Sequence, residues 1–519
     1  MSAARAVADA APFQGDQARR EGMRRQLRGS SLLLVGRLAS LAINLGVQVL
    51  TVRYLARADY GMFAWALVAI AGATQLVLLG LDTTVSRFVA IYHERGDQAR
   101  VSGAIALSLG GIGLASLLLV GAAFAGRAAL PALLGAEPDA VGLLLVMLAM
   151  APLQALDSVL HALYGVFGRA GSIMLRRYLV GPGLKLASVL AVMAWGGGTF
   201  ELALAYGVSL AAGVGIYGLL LVQILRRDAA LASPSPRRLV LPAREMLGFA
   251  ASLLTAELVF LFYGSFITLI LQYFHGANEV AGFQAARPFA KLNDVVLATF
   301  VHLFVPALAR FHARGDREGI ESLHAQTCVW ITLLSFPLFA VSFGMADSIA
   351  VWLLGSRYAD VGGLLAWMSF GFFVHAALGA NSHALRVLGF VRTAVAADLL
   401  AVVVSLAIAF ALIPALGQVG AAATLALVLG VRGGIHLAAL AWRGGLNPVH
   451  GHGPVYAVVA AATLLLWLTR PFTAGSLLAS AAVSALAIGV VLAFARRSLA
   501  LPETFPEIAR LPCVGRLLG

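Results

Sequence analysis

The chain has few charged side chains and few cysteines. Aspartate, glutamate, lysine and arginine make up only 12% of its 519 residues, about half of the share found in soluble domains. Hydrophobic residues make up 60%, which is more than a soluble core of this length could bury. Two cysteines, Cys328 and Cys513, are too few for a disulfide framework. The composition therefore argues against a soluble domain and a disulfide-stabilised one, and it favours the lipid bilayer as the solvent.

The chain also lacks catalytic and metal-binding motifs in a suitable context. AGVGIYG (212–218) matches a dinucleotide-binding pattern. It lies inside an apolar run with no strand before it, so close helix packing explains its glycines better. HGHG (450–453) offers two histidines without carboxylate or cysteine partners. We therefore predict no catalytic residues, no metal site and no cofactor, and we expect that the protein is not an enzyme.

Apolar runs of about 20 residues fill most of the chain, and each can cross the hydrocarbon core as a helix. Backbone polar groups must pair within such a segment in lipid, and the alternating pattern of a membrane barrel is absent. We predict an all-α polytopic membrane protein with about 14 transmembrane helices. The predicted spans are 31–54, 61–82, 102–124, 140–163, 177–195, 202–225, 247–274, 281–306, 322–344, 361–383, 393–414, 418–440, 454–470 and 475–495.

Positive charge is distributed unevenly between the two predicted sides. Most of the 37 lysines and arginines precede the first span or lie in alternate loops after it. Because such residues mark cytoplasmic loops, we predict a multi-pass protein of the bacterial inner membrane with both termini in the cytoplasm. Loop arginines then explain the net charge of +13, and no nucleic-acid partner is expected. Arg53 and Arg57, at the outer end of span 1, are expected to be interfacial anchors.

One pentapeptide occurs twice in nearly the same form. HERGD (93–97) follows span 2 and HARGD (312–316) follows span 8, both on the predicted cytoplasmic side. ADYGMFAWA (58–66) and EVAGFQAA (279–286) align at a similar offset. We predict two six-helix lobes related by a pseudo-two-fold axis along the membrane normal, followed by two further helices, which is a transporter arrangement. The predicted segments are the basic cytoplasmic N-tail 1–30, the N-lobe 31–225, the cytoplasmic linker 226–246, the C-lobe 247–441, helices 13 and 14 within 442–495, and the cytoplasmic C-tail 496–519.

Three predicted spans carry a polar stripe along one helical face. In span 8 the stripe consists of Gln284, Arg287, Lys291, Asp294 and His302. In span 1 it consists of Arg37, Ser40, Asn44, Gln48 and Thr51. In span 7 it consists of Glu257, Gly264, Thr268, Gln272 and His275. Ionisable groups at membrane depth are costly, so these stripes are expected to face a cavity or a partner.

The buried cations suggest an anionic substrate. Arg37, Arg287 and Lys291, together with Lys185 in span 5, are expected to line one water-filled cavity. Arginine binds phosphate with a planar fork of donors. Glu257 and Asp294 would balance this charge or carry a coupling ion, proton or sodium. The alternative is that these carboxylates pair with neighbouring cations as structural contacts.

The first hairpin resembles that of the Wzx-type flippases of the polysaccharide transporter family. The matching positions are Arg53-Tyr54-Leu55, Asp59-Tyr60-Gly61, Leu79-Gly80-Leu81 and Arg87. Residues 280–316, including Pro306, resemble the eighth helix of that family and the loop after it. Ala56 departs from the glycine that the family usually has. The similarity covers most of residues 25–440 and places the chain in the multidrug/oligosaccharidyl-lipid/polysaccharide exporter superfamily.

The resemblance implies a flippase for undecaprenyl-diphosphate-linked oligosaccharide in lipopolysaccharide or exopolysaccharide biosynthesis, working by alternating access of two lobes around a cationic cavity. Asn44, Gln48 and Gln284 would bind sugar hydroxyls beside the cations. The implied partners are the lipid-linked oligosaccharide, membrane lipids, and polysaccharide polymerase and assembly proteins, with the flippase itself a monomer. The resemblance leaves a cation-coupled multidrug exporter and a lipid II flippase as alternatives. A membrane glycosyltransferase or ligase is disfavoured because the longest outer loop, near 345–360, has only about 16 residues.

Overall fold

A computed structural model describes residues 36–167, 178–227, 240–446 and 452–499. Within these ranges every regular element is helical, which confirms the all-α prediction. Eleven of the described helical segments are long and apolar enough to cross a bilayer, so the chain is a multi-pass membrane protein. The first helix, α1, comprises residues 36–54. The following helices are α2 (Arg57–Leu78), α3 (Leu81–Glu94), α4 (Gln98–Ala125), α5 (Leu130–Leu134), α6 (Pro138–Leu148), α7 (Met150–Phe167), α8 (Gly181–Trp195), α9 (Thr199–Arg227), α10 (Ala243–His275), α11 (Ala277–Ala290), α12 (Val295–Arg314), α13 (Arg317–Gly344), α14 (Ala346–Ile349), α15 (Gly362–Leu378), α16 (Ala380–Val387), α17 (Val391–Gly444), α18 (Gly453–Thr473) and α19 (Leu477–Leu499).

The chain divides into two compact units. Unit 1 comprises residues 1–51, 73–126 and 143–254. Unit 2 comprises residues 52–72, 127–142 and 255–519. The predicted lobe boundaries stay a prediction.

The second predicted span ends earlier than expected, and a second helix follows it. Leu79 (φ 46°) and Gly80 (φ 75°) both adopt left-handed backbone conformations, which end α2 and start α3. A positive φ is costly for leucine, so glycine beside it limits the strain at this break. Arg87, predicted in a loop, therefore lies in α3, where its guanidinium stacks 4.3 Å from the ring centre of Phe249.

The two copies of the pentapeptide adopt the same turn. In each, a glycine with φ near 70° ends one helix, at Gly96 and at Gly315. The next aspartate caps the following helix: Asp97 Oδ1 accepts the Arg100 N–H at 3.1 Å, and Asp316 Oδ1 accepts the Gly319 N–H at 2.8 Å. The repeated sequence thus encodes a glycine C-cap followed directly by an aspartate N-cap.

Predicted spans 11 and 12 appear as one element, α17, with a sharp break. A continuous helix of 54 residues would extend about 80 Å, more than twice the hydrocarbon thickness. Gly417 has non-helical angles of φ 57° and ψ −134°. A side chain on Gly420 would collide with the carbonyl group of Leu412, so the two backbones are in close contact across the break. The break divides α17 into two segments of about 26 residues, each of membrane-spanning length.

Aromatic rings fill the interior of each unit. In unit 1, Tyr164 and Tyr217 stack with their ring centres 4.0 Å apart. In the same unit the buried Tyr92 donates a hydrogen bond to Glu245 Oε2 at 2.8 Å, and burial raises the pKa of Tyr92 to about 12. In unit 2, Phe339 and Phe373 stack at 4.5 Å between α13 and α15.

Candidate functional site

The candidate site of unit 2 lies on a helix that changes its winding in mid-membrane. Between α11 and α12, Lys291–Asp294 form one 3₁₀ turn. Pro288 precedes it and cannot donate a backbone hydrogen bond, so the regular α-helical pattern is weakened there. Lys291 follows Ala277 by fourteen residues, which places it about 21 Å along the segment and near the middle of a bilayer.

Arg287 and Lys291 are the cations at this depth. Arg287 is half-buried and Lys291 is exposed. In the described part of the chain neither side chain forms an ion pair or a printed hydrogen bond, and their positive charges influence each other. Their spacing of four residues brings them onto neighbouring turns. The arrangement is a local concentration of positive charge without a matching carboxylate contact.

Asp294 faces a histidine instead of these cations. The Nε2 atom of His375, on α15, lies 3.8 Å from Asp294 Oδ1. Both side chains are largely enclosed, with 19% and 27% of their surfaces exposed. The alternative in which Asp294 pairs with cations of its own helix is therefore not what the structure shows. Since a gap of 3.8 Å is too long for a hydrogen bond, a small movement or a bound ion would complete the contact.

A second ionisable cluster surrounds Asp398 on α17. Arg386 Nη2 donates to Asp398 Oδ2 at 2.8 Å, and Arg432 Nε donates to Oδ1 at 3.1 Å. His436 Nε2 lies 3.3 Å from the same oxygen. The charges of Arg432 and His436 also act on His375, so this cluster and the Asp294–His375 pair are electrostatically connected. The helical wheel of a single span could not indicate this cluster, because its members lie on α16 and on both segments of α17.

The predicted stripe of span 8 is divided by the 3₁₀ turn. A 3₁₀ turn advances about 20° further per residue than an α-helix, so four residues rotate the following helix by about 80°. His302, which is exposed on α12, therefore lies on a different face from Gln284. The buried Gln284 donates through Nε2 to Thr268 Oγ1 at 2.8 Å, so two predicted stripes meet at this pair.

The remaining candidates lie in unit 1 or outside the described residues. Lys185 on α8 is exposed, and Asp157 on α7 is near enough to influence its charge. Arg37 on α1 is half-buried, and no ion pair to it occurs among the described residues. Asn44 is exposed and donates to Ser40 O of its own helix at 2.7 Å. Gln48 is half-buried and has an interaction partner. The side chain of Glu257 lies outside the described residues.

Arg53 and Arg57 form specific contacts rather than acting only as interfacial anchors. The Arg57 guanidinium donates to both carboxylate oxygens of Asp360, at 2.9 and 2.7 Å. It also donates to Arg357 O at 3.1 Å. Arg53 Nε donates to Leu353 O at 2.9 Å. These bonds connect the start of α2 to the segment before α15, which a single-span reading of the sequence does not reveal.

The motif glycine Gly61 allows two helices of unit 2 to approach closely. A side chain at Gly61 would collide with the carbonyl group of Ala277, at the start of α11. The helix that carries Arg287 is thus packed directly against α2. Among the described residues, no group of three or more histidine, cysteine, aspartate or glutamate side chains could hold a metal ion.

Comparison with known proteins agrees with this architecture. The family model "Polysaccharide biosynthesis protein" matches residues 26–312. A search of curated proteins finds no significant match. Among solved structures, the lipid II flippase MurJ in an inward closed conformation is 12% identical, with a TM-score of 0.70, and the alignment covers 90% of this chain and 99% of MurJ.

Two multidrug transporter structures are also similar. An inward-facing multidrug resistance MATE family transporter of the MOP superfamily is 18% identical with a TM-score of 0.61, covering 78% of this chain and 93% of that one. The Vibrio cholerae MATE transporter VcmN is 18% identical with a TM-score of 0.55, covering 82% and 98%. At these identities the similarity shows the fold, which is that of the MOP superfamily. The family match, which spans more than half of the chain, confirms the predicted resemblance and shows that the chain belongs to the polysaccharide biosynthesis protein family.

Proposed function

We propose that the protein is a flippase that moves undecaprenyl-diphosphate-linked oligosaccharide across the bacterial inner membrane, with both termini in the cytoplasm. One observation carries this proposal: Arg287 and Lys291 lie near mid-membrane, one helical turn apart, without an ion pair in the described part of the chain. Membership of a polysaccharide biosynthesis family and a transporter fold support it.

An uncompensated cation at this depth needs a physical explanation. Removing a charge from water without a partner costs several kcal/mol, so such residues persist where water or an anionic ligand reaches them. A diphosphate supplies several anionic oxygens. Arg287 would bind two of them with its planar fork, and Lys291 would add a compact point charge. A cationic drug would be repelled at the same place, which disfavours the multidrug exporter.

Asp294 and His375 form the proposed coupling site. Their facing atoms are 3.8 Å apart, directly beside the cations, and Asp294 Oδ1 has no hydrogen-bond partner in the described part of the chain. A proton or a sodium ion could bridge this gap. Flipping measured under a proton gradient, a sodium gradient and a membrane potential in turn would identify the driving force. We expect Asp294→Asn to abolish the dependence on the coupling ion.

Deletion of the gene tests the proposal directly. We expect lipid-linked oligosaccharide to accumulate in the cytoplasmic leaflet of the deletion strain. We expect Arg287→Ala and Lys291→Ala to fail to restore export although both proteins insert and accumulate normally. Arg310→Ala, an exposed position on the continuing helix α12, is the matched control and should restore export fully.

Other outcomes would reject the proposal. Normal pools of lipid-linked sugar combined with altered drug tolerance would identify a multidrug exporter. Accumulation of lipid II alone would identify a lipid II flippase. Full export by the double variant of Arg287 and Lys291 would exclude a direct role of these cations in substrate binding.

A further inference from the structure

A separate pocket of about 300 Å³ lies in unit 2, where α13 ends, α15 begins and α18 ends. Its walls combine three aromatic rings with an ion pair. The lining includes Phe343, Asp347, Trp367, Trp467, Arg470 and Pro471. None of the predicted binding residues lies in this pocket. On the predicted orientation these helix ends face the outer side of the membrane.

Trp467 is the central ring of the pocket and is held in place by its neighbours. The Trp367 ring meets it edge-on, with the ring centres 5.0 Å apart. Phe343 and Phe370 contact it at 5.6 and 5.9 Å. Trp467 nevertheless keeps 39% of its surface exposed. It is therefore a rigid aromatic surface with an open area, which loses little conformational entropy when a ligand binds.

A charged pair stands beside these rings. Arg470 Nη2 lies 3.1 and 3.0 Å from the two carboxylate oxygens of Asp347. The Nε atom of Arg470 is buried and has no hydrogen-bond partner in the described part of the chain. Gly362 makes this arrangement possible, because a side chain there would collide with Asp347. The pair thus keeps an unused donor as well as carboxylate lone pairs for a further ligand.

This combination matches the chemistry of a sugar ring. The face of a pyranose carries C–H groups whose partial positive charge is attracted to an aromatic face. Its edge carries neighbouring hydroxyl groups that both donate and accept, which suits a carboxylate and a guanidinium side by side. Tryptophan alone at a membrane interface is common. Interfacial preference does not explain a concave site that also holds an ion pair with a spare donor.

We propose that this pocket binds a sugar ring of a saccharide at the predicted outer side of the membrane. The proposal rests on the proposed function for its assignment to a transported oligosaccharide. The binding itself is independent of transport, because it depends only on the rings and the charged pair. Trp467 supplies the stacking surface, and Asp347 with Arg470 supplies the hydroxyl contacts.

Saturation-transfer NMR on the full-length protein in lipid nanodiscs tests this binding, with free maltose and free N-acetylglucosamine as probes. We expect transfer to at least one of the two sugars in the wild type. Trp467→Ala should weaken binding about tenfold, and Trp467→Phe should weaken it less because a ring remains. Trp442→Ala is the matched control, since Trp442 is 76% exposed and lies outside the pocket. Arg470→Gln should also weaken binding while the protein stays folded.

Three results would overturn the proposal. The first is the absence of transfer to both sugars in the wild type. The second is equal transfer in the wild type and Trp467→Ala. The third is quenching of Trp467 emission by lipids brominated deep in their acyl chains, measured against Trp467→Phe, which would show that a lipid tail occupies the pocket.

The proposed function can fail separately. Normal lipid-linked sugar pools after gene deletion would reject the flippase, whereas loss of sugar binding in Trp467→Ala would still support the pocket. Conversely, accumulated lipid-linked sugar without saccharide binding at Trp467 would leave the flippase intact and reject the pocket alone.

Discussion

Replacing Arg287 by glutamine should separate transport from stability. Because Arg287 forms no ion pair in the described part of the chain, its loss leaves no carboxylate unpaired. The substitution also removes the cost of holding a charge at mid-membrane. We therefore expect the protein to insert normally, with a melting temperature that does not fall by more than about 2 °C.

The expected loss of transport follows from the lost phosphate contacts. A hydrogen bond to a charged group contributes about 1.5–3 kcal/mol, which corresponds to about 10- to 150-fold in affinity. Arg287→Lys keeps the charge but loses the planar fork, so we expect a smaller loss, of about tenfold. Lys291→Gln should resemble Arg287→Gln. The double variant should fall short of the product of the two single effects, because neighbouring residues couple.

The assay is flipping of a fluorescent undecaprenyl-diphosphate sugar in proteoliposomes, with the amount of inserted protein measured in parallel. The reasoning would be refuted if Arg287→Gln flipped the lipid at the wild-type rate. It would also be refuted if Arg287→Gln lost activity only in proportion to a lower amount of folded protein, because the residue would then be structural.

The remaining predictions concern stability and are measured by thermal unfolding in detergent. Arg57→Gln should destabilise the protein by about 1–2 kcal/mol, because it breaks the fork that Arg57 forms with a carboxylate. An unchanged melting temperature would contradict that role. Gly61→Ala should cost about 1–3 kcal/mol through collision with the facing carbonyl group. Its control, Gly113→Ala, meets no atom within 4 Å and should be neutral or stabilising by up to about 1 kcal/mol. Asp97→Ala and Asp316→Ala should each cost about 1 kcal/mol, and unequal effects would contradict the equivalence of the two turns.

The all-helical membrane fold was predictable because hydropathy and helix length depend on local sequence alone. The equivalence of the two pentapeptides was also local, since a glycine followed by an aspartate encodes a C-cap and an N-cap. The break at Leu79 was not predictable from hydropathy. Both sides of it remain compatible with a helix, and only the left-handed backbone at Leu79 and Gly80 separates them.

The candidate site was predictable in part. The depth of Arg287 and Lys291 followed from their positions within an apolar run. The partner of Asp294 did not, because His375 lies on another helix and no local pattern connects the two. The 3₁₀ turn at Lys291 also changed which residues share a face. A helical wheel assumes uniform winding, so it fails wherever proline and packing alter the turn.

The central claim is that the cations of α11 and of the adjoining 3₁₀ turn bind a diphosphate lipid. The most direct measurement is the affinity of the protein in nanodiscs for undecaprenyl diphosphate without sugar, compared between the wild type and the double variant Arg287→Gln/Lys291→Gln. We predict that the double variant binds at least about 100-fold more weakly. Equal affinity in both proteins, with both correctly folded, would contradict the claim.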